Sequence, residues 1–200
     1  MRSWFVPVLQ FWFGDVDELG RSDVQHSRRW FMKDETFDRQ IADRFGETYA
    51  DVRGGLREAW LDDPRGRVAY VIVLDQFPRN MFRGTARMFE ADRQALAAAV
   101  EGVARHDDAG LTVNERSFLY MPYMHSEDLD MQERSVSLFK ELAESAPSEL
   151  RGAMVAAVKY AEKHHEIIAR YGRFPHRNTV LGRQSRPEEL AFLAQPDSGF

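Results

Sequence analysis

Val71-Ile-Val-Leu-Asp-Gln-Phe-Pro-Arg-Asn-Met-Phe-Arg-Gly-Thr85 sets a nearly unbroken apolar run against an acid, a proline and two arginines. The apolar residues before Asp75 fall on every side of a helix, so we expect a central helix that is covered all round. Pro78 is expected to end this helix. Asp75 then lies in the last turn, where the helix dipole disfavours a negative charge. A buried carboxylate there needs a cation or several donors, and Arg79 and Arg83 are the nearest cations.

Helical periodicity extends over most of the remaining chain. Apolar residues recur at steps of about four from Asp34 onward, and Asp63-Pro64, Asp92 and Thr112-Val-Asn-Glu115 mark the starts of further helices. No segment alternates polar and apolar residues for long enough to form a strand. We therefore predict an all-α fold of antiparallel helix pairs, with one helical domain over residues 1–200.

Composition and charge exclude several classes of protein. The 200 residues are 44% hydrophobic, which is enough to bury the core of one domain. The absence of cysteine excludes disulfides, thiol nucleophiles and thiolate metal sites. The net charge of −5 is spread along the chain, which argues against a nucleic-acid partner. The apolar N-terminal segment is too short to span a membrane and lacks a signal-peptide cleavage site, so we predict a cytoplasmic protein without a membrane partner.

Several polar residues fall where apolar ones are expected. On a helical wheel of the last long helix, roughly residues 149–171, His164 and His165 lie on the apolar side. The same construction places Asp128 on the inward side of the helix that follows Ser126. These groups are expected to point into the protein.

A second corner repeats the pattern of the first. Phe174-Pro-His-Arg-Asn178 carries the Phe-Pro and Arg-Asn pairs of Phe77-Pro-Arg-Asn80 with one residue inserted. We predict that the two corners, the segment 125–128 and the histidine pair 164–165 face one another around a single polar site. The alternative is structural: a buried Asp-Arg clamp beside the first corner, and core histidines that are satisfied by local hydrogen bonds.

Long segments of the sequence resemble a known bacterial family. Leu74-Asp-Gln-Phe-Pro-Arg-Asn80, Phe118-Leu-Tyr-Met-Pro122, His125-Ser-Glu-Asp-Leu129 and Tyr171-Gly-Arg-Phe-Pro-His-Arg-Asn178 are similar to the signature segments of the family catalogued as domain of unknown function 924. The resemblance runs in order from about Val8 to Phe200. It implies a tetratricopeptide-like helical fold. It implies no established activity and supplies no catalytic residues.

The first functional hypothesis is a binding module for a small anionic ligand or an acidic peptide. Guanidinium groups bind carboxylate or phosphate through paired hydrogen bonds, amides add further contacts, and inward histidines complete the pocket. The candidate ligand-binding residues are Arg79, Asn80, Arg83, His125, His164, His176, Arg177, Asn178 and Arg183.

The second hypothesis is a hydrolase-like enzyme. Without cysteine, the simplest nucleophile is water, activated by His165 or His164 and oriented by Asp128 or Asp75, while an arginine stabilises the developing negative charge. A metal-assisted version would recruit His125, Asp128, His165 and His176. The sequence lacks the spacing of a helical zinc motif, so we predict neither a metal nor a cofactor.

The third hypothesis is a scaffold that binds another protein along exposed helix faces, as tetratricopeptide-like proteins do. A large exposed apolar groove without a polar pocket would favour it.

Overall fold

The computed structural model describes residues 4–196. The helices are α1 (Val6–Phe13), α2 (Val24–Arg29), α3 (Glu35–Arg53), α4 (Pro64–Val71), α5 (Phe77–Met81), α6 (Asp92–Ala104), α7 (Val113–Met124), α8 (Leu129–Ser145), α9 (Ser148–Tyr171) and α10 (Pro187–Leu193). A π-helical segment, Ile72–Gln76, joins α4 to α5, and short 3₁₀ turns connect several of the others. No strand forms in this part of the chain, so the prediction of an all-α fold is confirmed.

The centre of the core is the helix that the sequence predicts to be covered on every side. All residues from Gly66 to Gln76 are buried. Just beyond them the ring of Phe77 contacts Phe45 at 5.1 Å and Trp12 at 5.7 Å between ring centroids. Helix α4 and the π-helical segment are therefore enclosed by α1, α3, α6 and α7.

Pro78 does not end this helix, and the prediction that it does is wrong. The backbone N–H of Phe77 donates to the carbonyl of Ile72, five residues earlier, so the helix has a wider register before the proline. Pro78 then lies in the first turn of α5, where a missing N–H is tolerated. The chain continues as helix to Met81.

The later helices form a packed series. Helix α8 packs extensively along α9 and also along α7, and the short connections between them make consecutive helices antiparallel. A tetratricopeptide-like superhelix is not confirmed, and the single domain over residues 1–200 stays a prediction. No helix within residues 4–196 has the length and apolar composition needed to cross a bilayer.

A buried arginine fixes α4 against α6. The side chain of Arg67 is fully buried, and its Nη1 donates to the carbonyl of Ala98 at 2.9 Å. Its Nη2 donates to the carbonyl of Leu61 at 2.8 Å, and its Nε donates to Asp107 at 2.9 Å. Gly102 of α6 makes room for this side chain, because a Cβ at that position would lie 2.4 Å from Cδ of Arg67.

Substitution of Gly102 tests this packing. Ala is favoured over Gly within a helix by about 1 kcal/mol. We nevertheless expect Gly102→Ala to lower the free energy of unfolding, because overpacking costs about 1–3 kcal/mol and the hydrogen bonds of Arg67 keep it from moving aside. Urea unfolding measures the difference.

Gly152→Ala is the matched control. Gly152 lies in α9, and a Cβ there would meet no atom within 4 Å. This variant should be more stable than the parent by about 0.5–1 kcal/mol. Equal stabilisation by both substitutions would show that Arg67 does not constrain α6.

Candidate functional site

The candidate site begins in the π-helical segment of the central helix. Asp75 lies within Ile72–Gln76 and is fully buried. Segments of π-helix are rare and occur frequently at functional sites, because the wider register redirects side chains and leaves carbonyl groups without their usual partners. The local backbone thus gives Asp75 a position that a regular α-helix would not give it.

Three side chains surround the Asp75 carboxylate. Nδ1 of His125 lies 2.8 Å from its Oδ1, Nε2 of Gln76 donates to Oδ2 at 2.5 Å, and Nη1 of Arg79 lies 3.3 Å from Oδ1. Burial alone would raise the pKa of Asp75. The positive charge of Arg79 and the hydrogen bonds from His125 and Gln76 outweigh burial and hold this pKa below its usual range. Asp75 is therefore a carboxylate at neutral pH.

His125 presents one ring nitrogen to Asp75 and leaves the other open. It follows the last residue of α7, and its side chain is 16% exposed. Burial and the positive charge of Arg79 lower the pKa of His125, although Asp75 acts in the opposite direction. The neutral ring donates its Nδ1 proton to the carboxylate, so Nε2 carries a free lone pair. No side chain within residues 4–196 hydrogen-bonds to Nε2.

A second carboxylate connects the two Phe-Pro corners. The guanidinium of Arg79 donates to both oxygens of Asp92, at 2.9 and 3.1 Å. Arg177, from the second corner, donates to the same carboxylate at 3.3 Å through Nη1 and to the carbonyl of His125 at 3.0 Å through Nη2. Two segments almost one hundred residues apart in sequence therefore meet at Asp92 and His125.

Arg177 occupies an aromatic slot. Its guanidinium lies 4.5 Å from the ring centroid of Phe89 and 4.5 Å from that of Phe174. Burial, reinforced by the charge of Arg79, lowers the pKa of Arg177 to about 10. The residue remains a cation at neutral pH, and cation–π contacts replace part of its lost hydration.

Two more histidines lie beside this slot. The ring of His164 is 5.4 Å from that of Phe174 and 6.3 Å from that of His125, and its Nδ1 donates to the carbonyl of Tyr160 at 2.7 Å. His176 packs on Phe174 at 5.6 Å. Burial lowers the pKa of His164 to about 3 and that of His176 to about 4, so both rings are neutral at pH 7.

Four of the predicted ligand-binding residues lie in two separate clusters. Asn80 and Arg83 both donate to Asp38 of α3, at 2.8 Å for the amide and 2.8 Å for Nε. Arg183 pairs with Glu127 at 2.6 Å and donates to Asn178 at 3.0 Å. The structure therefore divides the predicted single site. It joins Asp75, Arg79, His125, His164, His176 and Arg177, which with Asp92 we call the Asp75 cluster.

All four predicted anion-binding arginines have an internal carboxylate partner. Asp92 is shared by Arg79 and Arg177, Asp38 pairs with Arg83, and Glu127 pairs with Arg183. The Asp75 cluster contains two guanidinium cations and two carboxylates. The positive charge that motivated the anion-binding hypothesis is thus largely neutralised within the protein.

Two predicted catalytic residues lie outside the cluster. Asp128 is exposed, and its carboxylate accepts from the backbone N–H of Met131 as the N-cap of α8. The helical-wheel prediction that Asp128 points inward is wrong, because residue 128 has an extended backbone, with φ −109° and ψ 128°, and does not belong to the helix. His165 is half-buried and makes no hydrogen bond, ion pair or ring contact with any residue of the cluster.

The metal-assisted alternative does not fit this arrangement. It required His125, Asp128, His165 and His176 to converge, whereas Asp128 and His165 lie elsewhere. Across residues 4–196, no group of three or more histidine and acidic side chains has the geometry to hold a metal ion.

Asp92 and Phe89 belong to this site but were not among the residues predicted from the sequence. Asp92 is predicted as the N-cap of α6, but Ala91 takes that position and the Asp92 carboxylate binds the two arginines instead. An acid in the first turn of a helix is already explained by its favourable interaction with the helix dipole. Only the need of Arg79 and Arg177 for an anionic partner could have identified Asp92 as a site residue. Phe89 lies in a 3₁₀ turn that carries no periodic signal.

The two neutral histidines predict a loss of stability in acid. Both have a lower pKa in the fold than the ordinary value of 6.5, so the unfolded chain binds more protons as pH falls below that value. The stability that the fold gains from keeping these histidines neutral is complete above pH 6.5 and is lost as pH falls toward 4. Each histidine adds a slope of up to about 1.4 kcal/mol per pH unit. Urea unfolding at several pH values measures it.

His164→Gln removes one of these groups and keeps a donor for Tyr160. This variant should lose stability less steeply than the parent between pH 6.5 and 5. An identical slope in the two proteins would show that His164 takes up no proton on unfolding in this range.

Two of three comparisons with known proteins gave a match. The family model described as "Bacterial protein of unknown function (DUF924)" matches residues 8–197. The solved structure of the protein of unknown function ATU0120 from Agrobacterium tumefaciens is 32% identical, with a TM-score of 0.82, and the alignment covers 96% of this chain and 97% of that one. A comparison with curated proteins gave no match. The chain belongs to the bacterial DUF924 family, whose function is unknown.

Proposed function

We propose that the protein is a hydrolase-like enzyme in which His125, oriented by Asp75, activates a water molecule. The observation that carries the proposal is the 2.8 Å contact between Nδ1 of His125 and the buried Asp75 carboxylate. The ring is partly exposed, and its Nε2 is not hydrogen-bonded to any residue in the described range 4–196. A carboxylate that fixes the tautomer and orientation of a histidine is a recurring device of general-base catalysis.

The proposed reaction uses groups at the rim of the cluster. Nε2 of His125 accepts a proton from water as the water oxygen attacks the electrophilic atom of the substrate. Asp75 stabilises the imidazolium that forms, and His125 returns the proton to the leaving group when its bond breaks. Arg79, whose side chain is 17% exposed, stabilises the negative charge that develops on the substrate oxygen.

Charge balance supports this proposal over a binding module that captures anions. A carboxylate ligand would have to displace Asp92 from Arg79 and Arg177, or Asp38 from Arg83, before it gained a bidentate contact. Each displaced carboxylate would lose the cation that compensates the free-energy cost of its burial. General-base chemistry needs no such displacement, because Nε2 of His125 is already open. Arg79 stabilises the charge that develops on a substrate oxygen through its electric field, while it keeps its hydrogen bonds to Asp92.

Hydrolysis of p-nitrophenyl acetate and p-nitrophenyl phosphate tests the proposal. His125→Asn should reduce kcat/KM at least about 100-fold on whichever ester the parent hydrolyses, because general-base assistance contributes about 10²–10⁴. His165→Asn removes an imidazole outside the cluster and should retain the parent rate. No turnover by the parent on either ester, or equal losses in the two variants, would contradict the proposal.

Asp75→Asn separates positioning from structural support. The variant should be less stable, by about 3 kcal/mol, because one partner of a buried ion pair is lost while Arg79 keeps Asp92. The Asp75 charge also raises the pKa of His125, so its removal should move the acid limb of the pH–rate profile to lower pH. If Asp75 only clamps the fold, the variant loses stability but the acid limb does not move.

A further inference from the structure

A second polar site lies between α1, α2 and α3. It is a surface pocket of about 410 Å³, a volume typical of small-molecule sites. Its lining includes Gln10, Phe11, His26, Arg29, Gln40 and Arg44. None of these residues belongs to the Asp75 cluster.

Two guanidinium groups of this pocket are held over a stacked pair of aromatic rings. Phe11 and Phe37 stack with centroids 5.4 Å apart and planes inclined by 10°. Arg44 lies 4.8 Å from the centroid of Phe11, and Arg29 lies 5.7 Å from that of Phe37. A cation–π contact uses no N–H donor, and neither Arg29 nor Arg44 donates a hydrogen bond to another described residue. The aromatic pair therefore positions both donor groups without using them.

Neither arginine has an internal carboxylate partner within residues 4–196, unlike the four predicted anion-binding arginines. Two acids hydrogen-bond to residues that line the pocket. Asp23 accepts from the backbone at the start of α2 and lies 2.7 Å from Nδ1 of His26, and Asp15 accepts from the amide of Gln10 at 2.9 Å. No acidic residue lines the pocket, and neither guanidinium forms an ion pair with a described carboxylate, so both cations are available to an anionic ligand.

We propose that this pocket binds the oxyanion, a phosphate or a carboxylate, of a small molecule between Arg29 and Arg44. Charge-assisted hydrogen bonds from guanidinium groups are the usual means of holding such groups. The exposed amide of Gln40, one turn before Arg44 on α3, supplies a further donor. The site is independent of the proposed hydrolytic centre at His125.

Calorimetric titration with pyrophosphate and with citrate tests the proposal, in buffer kept at constant ionic strength with sodium chloride. The parent should bind at least one of the two anions. Arg44→Gln and Arg29→Gln should each weaken binding about 10- to 100-fold, because a hydrogen bond to a charged group contributes about 1.5–3 kcal/mol. Binding of pyrophosphate alone assigns a phosphate ligand, and binding of citrate alone assigns a carboxylate.

Arg39→Gln is the matched control. Arg39 is an exposed arginine of α3 that does not line the pocket, so its loss removes the same charge from the same helix. This variant should bind as the parent does, and so should His125→Asn. The proposal is wrong if the parent binds neither anion, or if Arg39→Gln weakens binding as much as Arg44→Gln. Circular dichroism of each variant confirms that the helices are retained.

Discussion

The fully buried carboxylate of Asp75 is the interaction on which the centre of this protein depends. A single ionised acid inside a core is strongly unfavourable unless charge and hydrogen bonds compensate it. Here Arg79, Gln76 and His125 supply that compensation. Arg79 in turn binds Asp92, and Asp92 reaches Arg177 near the C-terminal end of the chain. Satisfying one acid therefore draws the central helix, α6, α7 and the second Phe-Pro corner together.

Most polar residues of this network support the fold, whereas His125 has a ring nitrogen that is available to a ligand or water. The carboxylates and guanidinium groups of the Asp75 cluster neutralise one another, and His164 and His176 are held neutral by burial. Within the Asp75 cluster, His125 combines a fixed orientation with an Nε2 that makes no hydrogen bond to any residue between 4 and 196. Burial and the positive charge of Arg79 lower the pKa of His125, which keeps it in the form that accepts a proton. A structural requirement of the core thereby produces a candidate base.

Helix periodicity and capping residues predicted most of the fold. Gly14 and Gly172 end α1 and α9 as expected, Asp63 caps α4, and the Thr112 capping box is present. Deviations from regular geometry were less predictable. Pro78 breaks an α-helix but not one widened by a preceding π-helical segment, and that register depends on packing rather than on local sequence.

The candidate site was predictable only in part, because charge partners are set by tertiary structure. Asp75, Arg79, His125 and Arg177 stood out as polar residues at corners or in apolar segments. Asp92 did not, because an acid at a helix start has a sufficient local role. The sequence did not predict that Arg29 of α2 and Arg44 of α3 line the same pocket. The segment that contains α2 has no sustained helical periodicity of apolar residues.

The central claim is that His125 is neutral, carries its proton on Nδ1 toward Asp75 and leaves Nε2 as an acceptor. Nitrogen-15 NMR of the imidazole groups, with His125 assigned by comparison with His125→Asn, measures this state directly. The account predicts a neutral Nδ1–H tautomer at pH 7. A doubly protonated ring at pH 7, or a neutral ring with its proton on Nε2, would contradict it.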